Sequence, residues 1–73
     1  MVVDTKEFRK EMIEHEIPSV LELSKISGVD RNTIMGILNH GKKPSVKTME
    51  KFIKVFGWSG ARAGEIFFAE KLT

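Results

Sequence analysis

Ser19-Val-Leu-Glu-Leu-Ser-Lys-Ile-Ser-Gly-Val-Asp-Arg-Asn-Thr-Ile-Met-Gly-Ile-Leu-Asn-His-Gly-Lys-Lys-Pro-Ser45 is the stretch that decides how this chain folds. It reads as a helix, a tight turn at Gly28, a second helix and a basic loop. Ser19 and Glu22 match the S-x-x-E capping box, in which each side chain satisfies a free backbone N–H of the first turn. Val20, Leu23 and Ser27 share one face of the helix that follows. Ser24 lies nearby and is small enough to let another helix approach. Gly28 ends that helix, because the left-handed conformation is open to glycine without steric penalty. Asp30 has the short polar side chain of an N-cap for the second helix. Ile34, Ile37 and Leu38 form its inward stripe, and Arg31, Asn32, Met35, Gly36 and Asn39 fall outside it. The helix is expected to stop between Asn39 and Gly41, leaving Lys42, Lys43 and Pro44 as the loop.

Outward from this core, the same signals recur. A helix is expected from about Thr5 to His15, with Asp4 and Glu7 as its capping box. Phe8, Met12 and Ile13 give it an apolar stripe, while Lys6, Lys10, Glu7, Glu11 and Glu14 fall on its other faces. Pro18 closes the segment, since the residue before proline is pushed out of the α region. On the other side, Ser45 caps a helix from about Val46 to Phe56. Met49, Phe52, Ile53 and Phe56 recur there at i, i+3, i+4 and i+7, with Lys47, Lys51 and Lys54 opposite. Gly57 stops it. Trp58 follows, and Ser59 caps a last helix from about Ala61 to Lys71 that carries Ile66, Phe67 and Phe68. No hairpin signal or sustained period-2 alternation occurs. The expected fold is all-α: a compact bundle of about five short helices in a single domain spanning 1–73, with the helix pair at about 19–39.

The composition narrows the function. Seventy-three residues make one domain at most. There is no cysteine, so neither a disulfide nor a thiolate metal ligand is available. No apolar run approaches the roughly 18 residues of a membrane span. Met1 to Lys10 is charged and lacks an apolar signal stretch. A cytoplasmic protein is the expectation. The net charge of +2 is unevenly spread. Residues 1–16 set Lys6, Arg9 and Lys10 against Asp4, Glu7, Glu11, Glu14 and Glu16, a net of −2. Residues 30–54 set Arg31, Lys42, Lys43, Lys47, Lys51 and Lys54 against Asp30 and Glu50, a net of +4. Positive charge gathered on one segment is the footprint of a polyanion binder. Catalysis is not expected. His15 and His40 are the only histidines, and they lie in different contexts with no cysteine to complete a metal set. There is no phosphate-cradling glycine-rich loop, and the serines sit at caps. No metal or cofactor is expected.

The chain resembles the helix-turn-helix family of phage Cro and cI-type repressors, with the lambda-repressor-like DNA-binding fold. The likeness covers roughly residues 6–58. It rests on Leu23 and the small Ser24 in the first helix of the pair, Gly28-Val29 at the turn, and Asp30 with Thr33 and Ile34 after it. It continues through Ile37, the basic loop Lys42-Lys43-Pro44-Ser45, and the amphipathic helix from Val46 to Gly57. The chain departs from the family pattern at four places. Val20 stands where a phosphate-binding glutamine is usual, and Gly36 stands where a polar base reader is common. His40 takes the usual glycine position, and about three extra residues precede Ile66.

The resemblance implies a DNA-binding transcriptional regulator whose helix 31–39 enters the major groove N-terminus first. Arg31 then either bonds guanine O6 and N7 through its planar fork or sits on a phosphate. Asn32 pairs with adenine, Met35 meets a thymine methyl, and Gly36 admits close backbone approach. Thr33, Asn39, Lys42, Lys43, Ser45 and Lys47 are the phosphate-contact candidates. Family members usually bind as dimers on two-fold sites, and Trp58, Phe67 and Phe68 are the candidate dimer contacts. A different outcome is a protein-binding module of the same architecture, an antirepressor, co-repressor or antitoxin whose partner is a larger repressor protein. Val20, Leu21, Met35 and Gly36 suit that reading.

Overall fold

Every helix begins where a short polar side chain takes up an amide of the first turn. The computed structural model describes residues 1–70 and contains five helices: α1 (Thr5–Glu14), α2 (Val20–Ser27), α3 (Arg31–His40), α4 (Val46–Phe56) and α5 (Gly60–Phe67). Asp4 accepts from the Glu7 amide at 3.1 Å, Ser19 from Glu22 at 3.2 Å, Ser45 from Thr48 at 3.2 Å and Ser59 from Arg62 at 3.0 Å. Asp30 accepts from both Asn32 and Thr33. Each such cap contributes about 1 kcal/mol relative to alanine.

The helix ends follow a second rule. Gly28 closes α2 at φ 75°, a left-handed geometry that a Cβ would strain. The turn between α2 and α3 is fixed further by Ser24, whose hydroxyl donates to the Val29 carbonyl at 2.7 Å. α1 ends without a glycine. Glu16 adopts φ 55°, and the Ile17 amide donates back to the Met12 carbonyl at 2.8 Å. This six-to-one bond is the Schellman closure, so α1 stops before Pro18 is reached.

The apolar faces converge on Phe8. Its ring is fully buried and meets Phe52, Phe56, Trp58 and Phe67 edge-on, with centroids 5.1–6.3 Å away. Phe56 and Trp58 stack at 4.6 Å. Leu23, Ile34, Ile37 and Ile66 complete the fully buried set. α2 packs on α3 and α4, α1 on α3 and α5, and α4 on α5. The radius of gyration, 11.1 Å, matches the roughly 11 Å of a well-packed domain of this length. The all-α bundle expected from the sequence is therefore what the chain forms.

Several expectations are corrected. Ile13 does not join the core; it is 76% exposed on α1. Trp58 and Phe67 are buried around Phe8, so they are not dimer contacts: a surface ring cannot also be a core ring. α5 ends at Phe67 rather than running to Lys71. The chain straightens there because Val2 and Ala69 exchange two amide bonds of 2.9 Å as an isolated antiparallel bridge. The Asp4 amide adds a bond to the Ile66 carbonyl at 2.7 Å. Lys71 itself lies outside the described residues. Glu11, read as a solvent-face residue, is buried, and its Oε1 accepts from the Trp58 indole at 2.7 Å.

Candidate nucleic-acid interface

α3 has one face in the core and one in solvent. Ile34, Ile37 and Leu38 are buried, while Arg31, Asn32, Thr33, Met35 and Asn39 are exposed. The left-handed exit at Gly41 returns the chain toward the same helix, and the Lys42 amide donates to the Gly36 carbonyl at 3.2 Å. The loop thereby forms the far wall of an open groove of about 460 Å³. Asn32, Thr33 and Gly36 line it from α3, Lys42, Lys43 and Pro44 from the loop, and Ser45 and Thr48 from the start of α4.

The structure sorts the candidate residues into groups. Asn32, Thr33, Gly36, Lys42, Lys43 and Ser45 come together in the groove. Arg31 and Met35 are one turn apart on the adjoining exposed strip of α3. Lys47 is separate: it shares a patch with Glu50, Lys51, Ile53 and Lys54 on the outer side of α4. Asn39 is already engaged, its Oδ1 accepting from Arg9 at 3.2 Å. The same Arg9 nitrogen donates to the Leu38 carbonyl at 3.3 Å. Arg9 thus caps the C-terminal end of α3 with a cation, where the helix dipole favours one. The sequence reading missed this role, since the two partners are 29 and 30 residues away.

Gly36 does not present bare backbone. A Cβ built on it would stand 3.3 Å from Lys42 Cδ, so the lysine stem lies closely against the glycine. Ser45 is occupied locally. Its hydroxyl donates to Thr48 Oγ1 at 3.1 Å while accepting from the Thr48 amide. Lys43 is oriented from the far end of the chain: its ammonium lies 4.0 Å from the centre of the Phe68 ring. Phe68, unlike Phe67, is 41% exposed.

The acidic groups are gathered elsewhere. Arg62 on α5 pairs with Glu7 at 2.8 Å, Glu11 at 2.9 Å and Glu65 at 3.2 Å. The Trp58 indole bond chiefly, and Arg62 with it, hold the Glu11 carboxyl below the usual carboxylate range against the opposing effect of burial. The carboxylates push the Arg62 guanidinium the other way, so it stays charged. Three of the five acids of residues 1–16, Glu7, Glu11 and Asp4, are thus used by α5 or by a helix cap.

No group of three or more His, Asp or Glu side chains is placed to hold a metal ion among the described residues. No helix there is long and apolar enough to cross a membrane. Compared with protein-family models, curated proteins and solved structures, the chain matches none.

Proposed function

We propose that this protein is a sequence-specific DNA-binding transcriptional regulator of the Cro and cI repressor kind, with α3 as the helix that enters the major groove. One observation carries the reading. The exposed leading end of α3, with Arg31, Asn32 and Thr33, opens directly onto a groove walled by Lys42, Lys43 and the start of α4. Base-reading side chains beside cations is the combination that duplex recognition needs, because base edges specify and phosphates position. In this reading Arg31 and Asn32 meet bases, and Lys43 and the α4 start meet the sugar-phosphate backbone. One short helix makes a small footprint, so the protein acts as a homodimer on a two-fold operator with half-sites about one helical turn apart. Phe68 is the remaining aromatic available for that contact.

The deciding experiment measures affinity for random duplex DNA at low and moderate salt. A DNA reader binds at low salt and loses affinity steeply as counterions compete. Binding that is absent, or indifferent to salt, removes the proposal.

A second reading has its own support. Leu21 and Met35 are 47% and 46% exposed, and Val20 leaves the start of α2 without a polar phosphate ligand. A module that binds a larger repressor protein would present such apolar side chains. It would retain its fold and show no salt-dependent affinity for DNA.

A further inference from the structure

We propose that Lys42 is a base-reading residue rather than a phosphate anchor, carried to the exposed face of α3 through the gap at Gly36. The inference rests on the DNA-binding reading and assigns it a specificity residue. Lysine after a recognition helix is ordinarily a backbone contact, and the sequence alone gives no reason to treat Lys42 and Lys43 differently. The structure does.

The Lys42 amide is tied to the Gly36 carbonyl at 3.2 Å, which sets the start of its side chain against α3. Its Cγ and Cδ then stand 4.0 and 3.3 Å from where a Cβ of residue 36 would be. The stem therefore lies alongside the place where a side chain of residue 36 would begin. Nζ is only two bonds beyond Cδ, so the ammonium stays within reach of that surface, and Lys42 lines the same groove as Asn32 and Thr33. In effect Lys42 supplies the polar reader that position 36 lacks. Lys43 is held differently, over the Phe68 ring at the end of α5. Two adjacent lysines thus serve two surfaces.

A lysine on that face donates to acceptors without offering any. In the major groove the pair of acceptors O6 and N7 belongs to guanine. Lys42 is therefore expected to select a G·C pair next to the bases met by Asn32. Gly36 is a positioning residue for this contact. A methyl at 36 would stand 3.3 Å from the lysine Cδ, so the stem would have to give by a few tenths of an ångström.

The test selects the preferred duplex of the parent chain from a randomised pool and measures affinities for all its single-base-pair variants. The parent, Lys42→Ala, Lys43→Ala and Gly36→Ala are compared. Lys42→Ala is expected to lose roughly 5- to 100-fold of discrimination at one G·C position, with little change in the salt slope on random duplex. Gly36→Ala is expected to relax the same position by less than Lys42→Ala does, with Lys42 still present. Lys42 is exposed, so its truncation leaves the fold intact, which circular dichroism checks. A Lys42→Ala chain that weakens on every duplex alike, with the log–log salt slope reduced by about 0.9, overturns the assignment while leaving DNA binding standing. A parent chain with no salt-steep affinity for random duplex overturns the DNA reading and this inference together, and it does so before any variant is compared.

Discussion

The ammonium of Lys43 stands 4.0 Å above the ring of Phe68, which joins the basic loop to the end of α5. A charge held this way loses less freedom when it meets a phosphate than a lysine free in solvent. Lys43→Ala is expected to weaken binding to all duplexes equally and to lower the log–log salt slope by about 0.9. Filter binding over a salt series reads both quantities. Unequal losses among sequences would show that Lys43 touches bases.

Arg31 stands exposed at the first position of α3, beside the Asp30 cap. Arg31→Ala is expected to reduce discrimination between the preferred duplex and single-base variants by about 1–3 kcal/mol at one position. Its effect on random DNA is expected to be small. A uniform loss across sequences would place Arg31 on a phosphate.

Phe68 is half-exposed, whereas Phe67 is fully packed. Phe68→Ala is expected to leave helix content unchanged and to shift the protein from dimer to monomer in sedimentation. It also removes the ring beneath Lys43, at a cost of about 0.5–1 kcal/mol in stability. A variant that dimerises like the parent would place the self-contact elsewhere.

Glu11 gives the fold a dependence on acid. Its carboxyl titrates below the usual 4.5, through the Trp58 indole bond first and Arg62 second, with His15 Nε2 3.5 Å away and burial working against them. A depressed folded value means that the unfolded chain binds the proton more readily. The stabilisation is complete above about pH 4.5 and is lost as pH falls through the lower folded value. Glu11→Gln is expected to be less stable than the parent at pH 7 and to show a flatter stability profile below pH 4.5. Urea melts at pH 7, 5, 4 and 3 would test this. Parallel profiles for the two chains would contradict it.

Glu16 is the one residue other than glycine at positive φ among those described, and its side chain is exposed. The left-handed conformation costs a residue with a Cβ about 1–2 kcal/mol, which exceeds the roughly 0.5–1 kcal/mol of extra chain entropy that glycine loses. Glu16→Gly is expected to raise stability by about 0.5 kcal/mol, seen as a higher thermal midpoint. A lower midpoint would mean that Glu16 is held by its side chain rather than strained by its backbone.

The helix starts were legible because capping is local. Asp4, Ser19, Asp30, Ser45 and Ser59 each bond an amide two or three residues on. The core stripes of α3 and α4 followed from helical spacing in the same way. What was illegible depends on distant partners. The burial of Glu11 does not show in the apolar stripe of α1, because Trp58, whose indole bonds it, is 47 positions away. The same holds for Arg9 on the tail of α3. Phe67 and Phe68 could not be told apart as inward and outward until the path of α5 was known. The groove residues Asn32, Thr33, Lys42 and Lys43 were named from sequence; that Gly36 makes room for one lysine stem was not, because a missing side chain leaves no pattern.

The bond between the Trp58 indole and Glu11 has a practical consequence. Trp58 is the only tryptophan in the chain, and it is buried in the core against Phe8, Phe56 and Phe67. Its fluorescence therefore reports on the interior alone: emission moves to longer wavelength when water reaches the indole. Titrations with an oligonucleotide should leave that signal nearly still, so the protein carries an unlabelled gauge of its own integrity during any binding measurement.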